Sequence, residues 1–201
     1  MKLVTKYSLK IFLTAIFLNL IMIGFSQSLN EAGEYYNSGN EQFSAKDYGN
    51  SVESYKNCVD ACLMLGAEGN DLKAKSEKQL ATAYYKYAIN LYKGKKFDQA
   101  INTFKKAGDQ AKAVGDTKLQ KKAVAYIPKV YTSIGLGLLK KKDYENAMAK
   151  FNKALQLNPK YNKAYYGQGL VYKEKGETEN LKKAFDKVIE IGPEGNKTVI
   201  K

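Results

Sequence analysis

The chain has 201 residues, enough for one ordinary domain or a short array of repeats. Its 44% hydrophobic and 26% charged residues exclude a disordered chain, and only three prolines among many Tyr, Ala, Leu and Lys favour an all-α fold. The formal net charge is +13, and all 33 basic residues are lysine. Arginine, which reads phosphate and guanine best, is absent, so the charge is weak evidence for nucleic-acid binding.

The first 26 residues have the pattern of a secretory signal peptide. Three lysines precede an apolar run at 11–25, and the small residues Gly24 and Ser26 lie at its end. An apolar run of about fifteen residues is shorter than the roughly 20 needed to span a bilayer. We therefore expect cleavage after Ser26, a mature chain that begins at Gln27 in the periplasm or cell envelope, and membrane contact only through the leader before cleavage. Retention of the leader as a membrane anchor is the alternative.

Four units with a shared pattern occupy most of the remaining chain. Each unit has an aromatic residue, a small residue four positions later and a second aromatic after a turn. These residues are Tyr35, Gly39 and Tyr55; Tyr84, Ala88 and Phe104; Tyr131, Gly135 and Phe151; and Tyr165, Gly169 and Phe185. The last two units superpose at a shift of 34 residues. The pattern predicts one helix pair in each unit, because a small residue lets two helices cross closely.

The first two units carry extra residues. The small-residue position of the second helix is occupied by Ser51, Ala100 and Ala147, and by Leu181 in the last unit, at intervals of 49, 47 and 34 residues. The additional residues lie around 64–81 and 108–128. Gly-Asn-Asp at 69–71 and Gly-Asp at 115–116 each predict the end of one helix and the N-cap of a long following helix.

The units resemble the tetratricopeptide repeat. DYENAMAKFNKALQLNP at 143–159 is close to the second helix of that family at almost every position. The resemblance covers about 31–193. It implies an all-α, right-handed superhelical solenoid of about four antiparallel helix pairs, with the first two extended. The expected domain spans 27–193, followed by a short tail at 194–201.

The resemblance also implies a binding face, since the first helices of such pairs line a concave groove. In each first helix, the residue after the aromatic, the residue after the small residue and the residue one turn further along then bind a protein or peptide partner. The expected partner-binding residues are Tyr36, Asn40, Phe43, Tyr85, Ile89, Tyr92, Thr132, Leu136, Tyr166, Leu170 and Lys173. Tyrosine is enriched at interfaces, which favours exposed rings. The alternative is that these tyrosines fill extra core created by the longer helices.

Residue types that support catalysis are scarce. The chain has no histidine, the commonest general base and metal ligand. Its carboxylates are scattered among lysines. A phosphate loop has several glycines ahead of a helix, whereas Gly135 and Gly137 lie within the helix-crossing pattern. We predict no enzymatic activity, no small-molecule substrate, no cofactor and no metal site.

Cys58 and Cys62 lie four residues apart on one predicted helix. Their Cβ atoms should be about 5 to 6 Å apart, whereas a disulfide has about 3.5 to 4.5 Å. We predict two unpaired cysteines on a packing face. A redox or metal-binding role is the alternative in an exported chain.

Two functions follow from these patterns. The leading hypothesis is a non-enzymatic scaffold of the cell envelope that binds a protein or peptide. The alternative is a basic surface protein that binds an anionic polymer, either a cell-envelope polysaccharide or nucleic acid. A salt titration separates the two, because binding to a polyanion weakens steeply with ionic strength.

Overall fold

The computed structural model describes residues 28–192, which form eight α-helices and one short 3₁₀ turn, with no strand in that range. The helices are α1 Leu29–Ser44, α2 Tyr48–Met64, α3 Asn70–Lys93, α4 Phe97–Ala113, α5 Thr117–Lys140, α6 Tyr144–Leu157, α7 Asn162–Lys175 and α8 Thr178–Ile191. The 3₁₀ turn spans Gly66–Gly69. The predicted leader, its cleavage point and the tail at 194–201 lie outside the described residues.

The helices form the predicted solenoid of four pairs. Consecutive helices pack together and are joined by only two to five residues, which requires an antiparallel arrangement. The first helices of successive pairs, α1, α3, α5 and α7, also contact one another in that order. The first helices therefore form one layer and the second helices form the other.

The extra residues lengthen particular helices. Both α3 and α5 have 24 residues, whereas the two helices of the last pair have 14 each. Asp116 caps α5 as predicted, because its carboxylate accepts a hydrogen bond from the Leu119 N–H at 2.8 Å. The helix end and N-cap predicted at 69–71 are wrong in detail, although the long helix α3 begins at Asn70. The left-handed glycine after α2 is Gly66, and no side chain caps α3.

Small residues and aromatic rings meet inside each pair as the repeat predicts. A Cβ placed on Gly39 would lie 2.7 Å from the Tyr55 ring, and one on Gly169 would lie 2.5 Å from the Phe185 ring. Ala88 and Phe104 are both fully buried at the corresponding places in the second pair. These contacts leave no room for a larger residue at the crossing.

The two ends of the solenoid differ in polarity. The later first helices pack against the preceding pair through positions that are buried and mostly apolar. These residues are Leu80 and Ala83 in α3, Ile127 and Val130 in α5, Tyr161 just before α7 and Ala164 within it. The corresponding residues of α1 are charged: Glu31 is half-buried and Glu34 is exposed. At the other end, no described helix packs beyond α8, and Ile189 is 77% exposed.

Candidate partner-binding face

The exposed apolar part of the first-helix layer lies on α5 and α7. Leu136 is 36% exposed and Tyr166 is 49% exposed, and Lys173 is exposed two turns further along α7. Leu170 is half-buried and lines a cleft of about 300 Å³ between α5 and α7. The other residues that line this cleft are Leu139, Lys140, Lys142 and Glu174. Four of the expected partner-binding residues thus lie on these two helices at or near one cleft.

The expected residues of the first pair take part in packing. The Tyr36 ring lies 5.9 Å from the Tyr55 ring, and Phe43 meets the Tyr48 ring edge-on at 5.2 Å. The Tyr55 hydroxyl donates a hydrogen bond to Asn40 Oδ1 at 2.7 Å. Tyr36, Asn40 and Phe43 are each half-buried. Burial raises the pKa of Tyr55, and the neighbouring Tyr36 adds to this effect.

The second pair builds an aromatic cluster with α5. The Tyr85 ring meets Phe104 at 6.0 Å and Tyr126 at 5.8 Å, and Phe104 stacks on Tyr126 at 5.0 Å. Burial, together with the adjacent Tyr126, raises the pKa of Tyr85 to about 12. Ile89 is half-buried and packs against the same core.

Tyr92 joins α3 to α5 through polar and cation–π contacts. Its hydroxyl lies 2.9 Å from Ser133 Oγ, within hydrogen-bonding distance. The Lys129 ammonium lies 5.4 Å from the Tyr92 ring centre and 5.1 Å from that of Tyr126. These contacts hold the Tyr92 side chain across the interface between the two long helices.

Thr132 corrects one expectation. It was expected to be exposed on the concave face, but its side chain is only 3% exposed. Its Oγ1 is buried without a hydrogen-bond partner among the described residues. The threonine takes the place that a tyrosine has in the other three pairs, and its short side chain ends beneath the surface. It offers no group to a partner.

The three tyrosines share one arrangement with different exposure. Tyr36, Tyr85 and Tyr166 each lie against the second aromatic of their own pair, and the Tyr166–Phe185 ring distance is 5.8 Å. Tyr36 and Tyr85 are half-buried, whereas Tyr166 is exposed. Tyr85 therefore serves mainly as core, and Tyr166 is available for contact.

Comparisons with known proteins agree with this repeat geometry. Profiles described as tetratricopeptide repeat match residues 82–114 and 163–194, and a profile described as TPR repeat matches residues 135–176. The chain contains tetratricopeptide repeats. A tetratricopeptide-repeat solenoid is a scaffold that binds protein or peptide partners. No curated protein matches the chain significantly.

Two tetratricopeptide-like solved structures are similar to most of the chain. The MamA protein is 21% identical, with a TM-score of 0.35, over 83% of this chain and 94% of that one. YrrB, described as a TPR protein with an unusual peptide-binding site, is 17% identical, with a TM-score of 0.36, over 87% of this chain and 92% of that one.

The repeat pattern did not identify every residue of this tetratricopeptide-repeat face. Lys140, Lys142 and Glu174 line the cleft, and Tyr126 and Lys129 form the cluster with Tyr92. Tyr126, Lys129 and Ser133 recur at intervals of three and four residues, which places them on one face of α5. Applying helical spacing to the predicted long helix would have found this face.

Residues 28–192 also bear on cysteine pairing, metal binding and membrane spanning. Both cysteines are free and buried, as predicted, and their sulfur atoms lie 4.0 Å apart. In the described part of the chain, no three His, Cys, Asp or Glu side chains come together to hold a metal ion. None of the described helices is long and apolar enough to cross a membrane.

Proposed function

We propose that this protein is an exported, non-enzymatic scaffold of the cell envelope that binds a protein or peptide through the concave face of its first helices. The observation that carries the proposal is the accessible apolar surface on α5 and α7. Leu136 and Tyr166 are exposed there, whereas Ile89 and Tyr85, at the corresponding positions of α3, are half-buried against the core. Binding is therefore concentrated in the third and fourth pairs.

The chemistry of the cleft indicates the kind of segment that fits. Leu139 and Leu170 provide an apolar floor, and Lys140 and Lys142 lie beside it with Glu174. A volume of about 300 Å³ accommodates one or two side chains, which is too little for a folded domain. The partner presents an apolar side chain next to an acidic group, on a helix or an extended segment.

Export is proposed from the leader pattern at 1–26, and the absence of histidine supports a non-enzymatic role. The mass of the intact protein recovered from the cell envelope tests export directly. A mature chain beginning at Gln27 is expected. Recovery of the chain with its leader attached, in the cytoplasm, would contradict this part of the proposal.

Site-specific photo-cross-linking tests the binding face. A photoreactive amino acid at Leu136 or at Leu170 should capture the same partner, while the same group at the exposed Asn102 of α4 should capture none. Leu136→Asp should then weaken binding of that partner by tenfold or more, about 1.4 kcal/mol, while the variant remains folded. Capture from Asn102 alone, or full affinity of Leu136→Asp, would place the site elsewhere.

Salt dependence separates the scaffold from a polyanion-binding protein. Contacts with an apolar cleft lose little affinity between low and moderate ionic strength. The captured partner should therefore stay bound as salt is raised. A steep, linear loss of log affinity with log salt concentration would favour an anionic polymer as the partner of this face.

A further inference from the structure

A buried cluster of polar and sulfur atoms lies where α2 packs against α3, an interface that we call the first junction. The sulfur atoms of Cys58 and Cys62 are 4.0 Å apart, on successive turns of α2. The Ser76 hydroxyl of α3 donates a hydrogen bond to Cys58 Sγ at 2.9 Å. All three side chains are at most 1% exposed. Two thiols and a hydroxyl group therefore meet inside the core.

The equivalent interface between α4 and α5, the second junction, has three alanines at these places. Helices α2 and α4 both have 17 residues and α3 and α5 both have 24, so their positions correspond without a gap. The corresponding buried residues are Cys58 and Ala107, Cys62 and Ala111, and Ser76 and Ala123. Alanine is sufficient for packing at the second junction. Packing alone therefore does not account for the two thiols and the hydroxyl group at the first.

The separation of the two sulfur atoms fits a metal ion held between them. With metal–thiolate bonds of about 2.3 Å, two sulfur ligands lie up to about 4.6 Å apart when they bind from opposite sides. The observed 4.0 Å is within this limit. It is far longer than the bond of about 2.05 Å in a disulfide. A metal ion can thus join Cys58 to Cys62 with little movement of α2.

The small number of ligands determines which metal ion fits. In residues 28–192, no third His, Cys, Asp or Glu side chain joins the two cysteines. Structural Zn²⁺ sites almost always have four ligands, and Mg²⁺ and Ca²⁺ bind oxygen atoms. Thiolates select soft cations, and Cu(I) is the common one that two thiolates can hold. We propose that Cys58 and Cys62 bind one Cu(I) ion between their sulfur atoms.

Binding exchanges two protons for one cation. Each thiol releases its proton to solvent as its sulfur bonds to Cu(I), so the bound site carries one negative charge. The hydrogen bond from Ser76 stabilises the thiolate of Cys58. Burial and the neighbouring Cys58 raise the pKa of Cys62, whereas the Lys73 ammonium lowers it. Lys73, which also pairs with Glu77 at 3.1 Å, is therefore close enough to offset part of the charge.

The route from solvent to this site is short. Cys62 lies in the last turn of α2, directly before the 3₁₀ turn Gly66–Gly69. Gly69 packs so tightly against the Cys62 backbone that a Cβ atom on the glycine would clash, while residues 66–68 are exposed. Local opening of this turn gives Cu(I) access to Cys62 without unfolding of the helix pair.

The Cu(I) site does not depend on the scaffold function. It lies between α2 and α3, whereas the apolar cleft lies between α5 and α7. Loss of one site should leave the other intact.

Competition with the chromophoric Cu(I) chelator bicinchoninate tests the proposal in the full-length chain. In oxygen-free buffer with ascorbate, the wild type should withdraw one Cu(I) per chain from the chelator. Cys58→Ala and Cys62→Ala should each weaken Cu(I) binding by about a hundredfold or more, because only one thiolate remains. Ser76→Ala removes a partner of one ligand and should weaken binding by about tenfold. All four methionines are common to these proteins.

The second junction supplies the folding control and a transplant. Because alanine occupies the equivalent buried positions there, the alanine variants should remain folded in circular-dichroism melts. Cu(I) should raise the melting temperature of the wild type and leave that of Cys58→Ala unchanged. The combined changes Ala107→Cys, Ala111→Cys and Ala123→Ser should create a second site, so that the folded variant holds two Cu(I) per chain.

Four results would overturn the proposal. They are failure of the wild type to withdraw Cu(I) from the chelator, equal Cu(I) binding by the wild type and a folded variant without both cysteines, binding of Zn²⁺ as tight as that of Cu(I), and a folded transplant that still holds one Cu(I). The second result would assign the ion to the methionines. The last would show that two cysteines and a serine in this arrangement do not make the site.

Discussion

Gly135 lies so close to the ring of Phe151 that a Cβ atom on the glycine would be 2.6 Å from ring Cε1. Gly167, from the next pair, faces the same ring. Phe151 is fully buried and is held between α5 and α7, so one side chain joins two successive pairs. This contact explains why glycine recurs in the first helices despite its low helix propensity.

Gly135→Ala should destabilise the protein. The added methyl group must displace the Phe151 ring, and overpacking of this kind typically costs about 1 to 3 kcal/mol. Gly137→Ala is a matched control two residues away in the same helix, where a Cβ would meet no heavy atom within 4 Å. It should raise the free energy of unfolding by up to about 1 kcal/mol. Urea unfolding of both variants measures the difference, and equal stability would show that the crossing is looser than the structure indicates.

Truncation of two tyrosines at corresponding positions should separate folding from binding. Tyr85 packs between Phe104 and Tyr126, so Tyr85→Ala should lower the free energy of unfolding by about 2 kcal/mol or more. Tyr166 is exposed, so Tyr166→Ala should cost less than about 1 kcal/mol. Circular-dichroism melts of the two variants give the stabilities. In the cross-linking assay, Tyr166→Ala should lose partner capture while remaining folded. Equal melting temperatures for Tyr85→Ala and Tyr166→Ala would contradict the assignment of Tyr85 to the core.

The two cysteines should react as hindered thiols. Burial, reinforced by the adjacent Cys58, raises the pKa of the Cys62 thiol to about 11, so little thiolate exists near neutral pH. Alkylation of the native protein should be slow, and both thiols should react promptly in denaturant. A thiol count under non-reducing conditions provides the measurement. The absence of free thiols in monomeric protein would require a disulfide and a distorted α2.

Stability should fall at strongly alkaline pH. Burial raises the pKa of Tyr161 from 10.0 to about 12, so the folded state holds the phenol proton more tightly than the unfolded state. The resulting stabilisation is complete below pH 10 and is lost as the pH rises through about 12. Tyr161→Phe has no proton to lose at this position. Its melting temperature should track the wild type below pH 10 and decline less above it. Melting temperatures of Tyr161→Phe and the wild type that decline in parallel over the whole pH range would contradict this account.

The packing of the repeats could be predicted because it depends on residue size at fixed spacing. Gly39, Gly135 and Gly169 face aromatic rings in the structure as the repeat pattern implies. The start of the long helix after residue 115 was also predictable, since Asp116 is an effective N-cap. The long helix after residue 69 begins where it was predicted, although no side chain caps it. These features follow from short-range chemistry that the sequence displays directly.

The exposure of individual face residues could not be predicted in the same way. Thr132 is buried because its side chain is short at a place where tyrosine reaches the surface in other pairs. Tyr92 reaches Ser133 and Lys129 because two 24-residue helices lie side by side, and repeat spacing does not give that juxtaposition. The left-handed backbone at Lys46, Lys95 and Lys142 could not be predicted either, because these lysines precede Asp in two turns and Lys in the third, and neither pair of residues indicates a positive φ.

The contrast between α1 and α8 gives the array a direction of growth. Another helix pair placed before α1 would bury Glu31 and Glu34, and unpaired carboxylates in an interface cost several kcal/mol. A pair placed after α8 would instead cover Ile189, a residue that gains from burial. Duplication of a unit can therefore extend this solenoid at its C-terminal side, while the first helix acts as a terminator. In an engineered series of longer arrays, only those lengthened beyond α8 should gain stability with each unit.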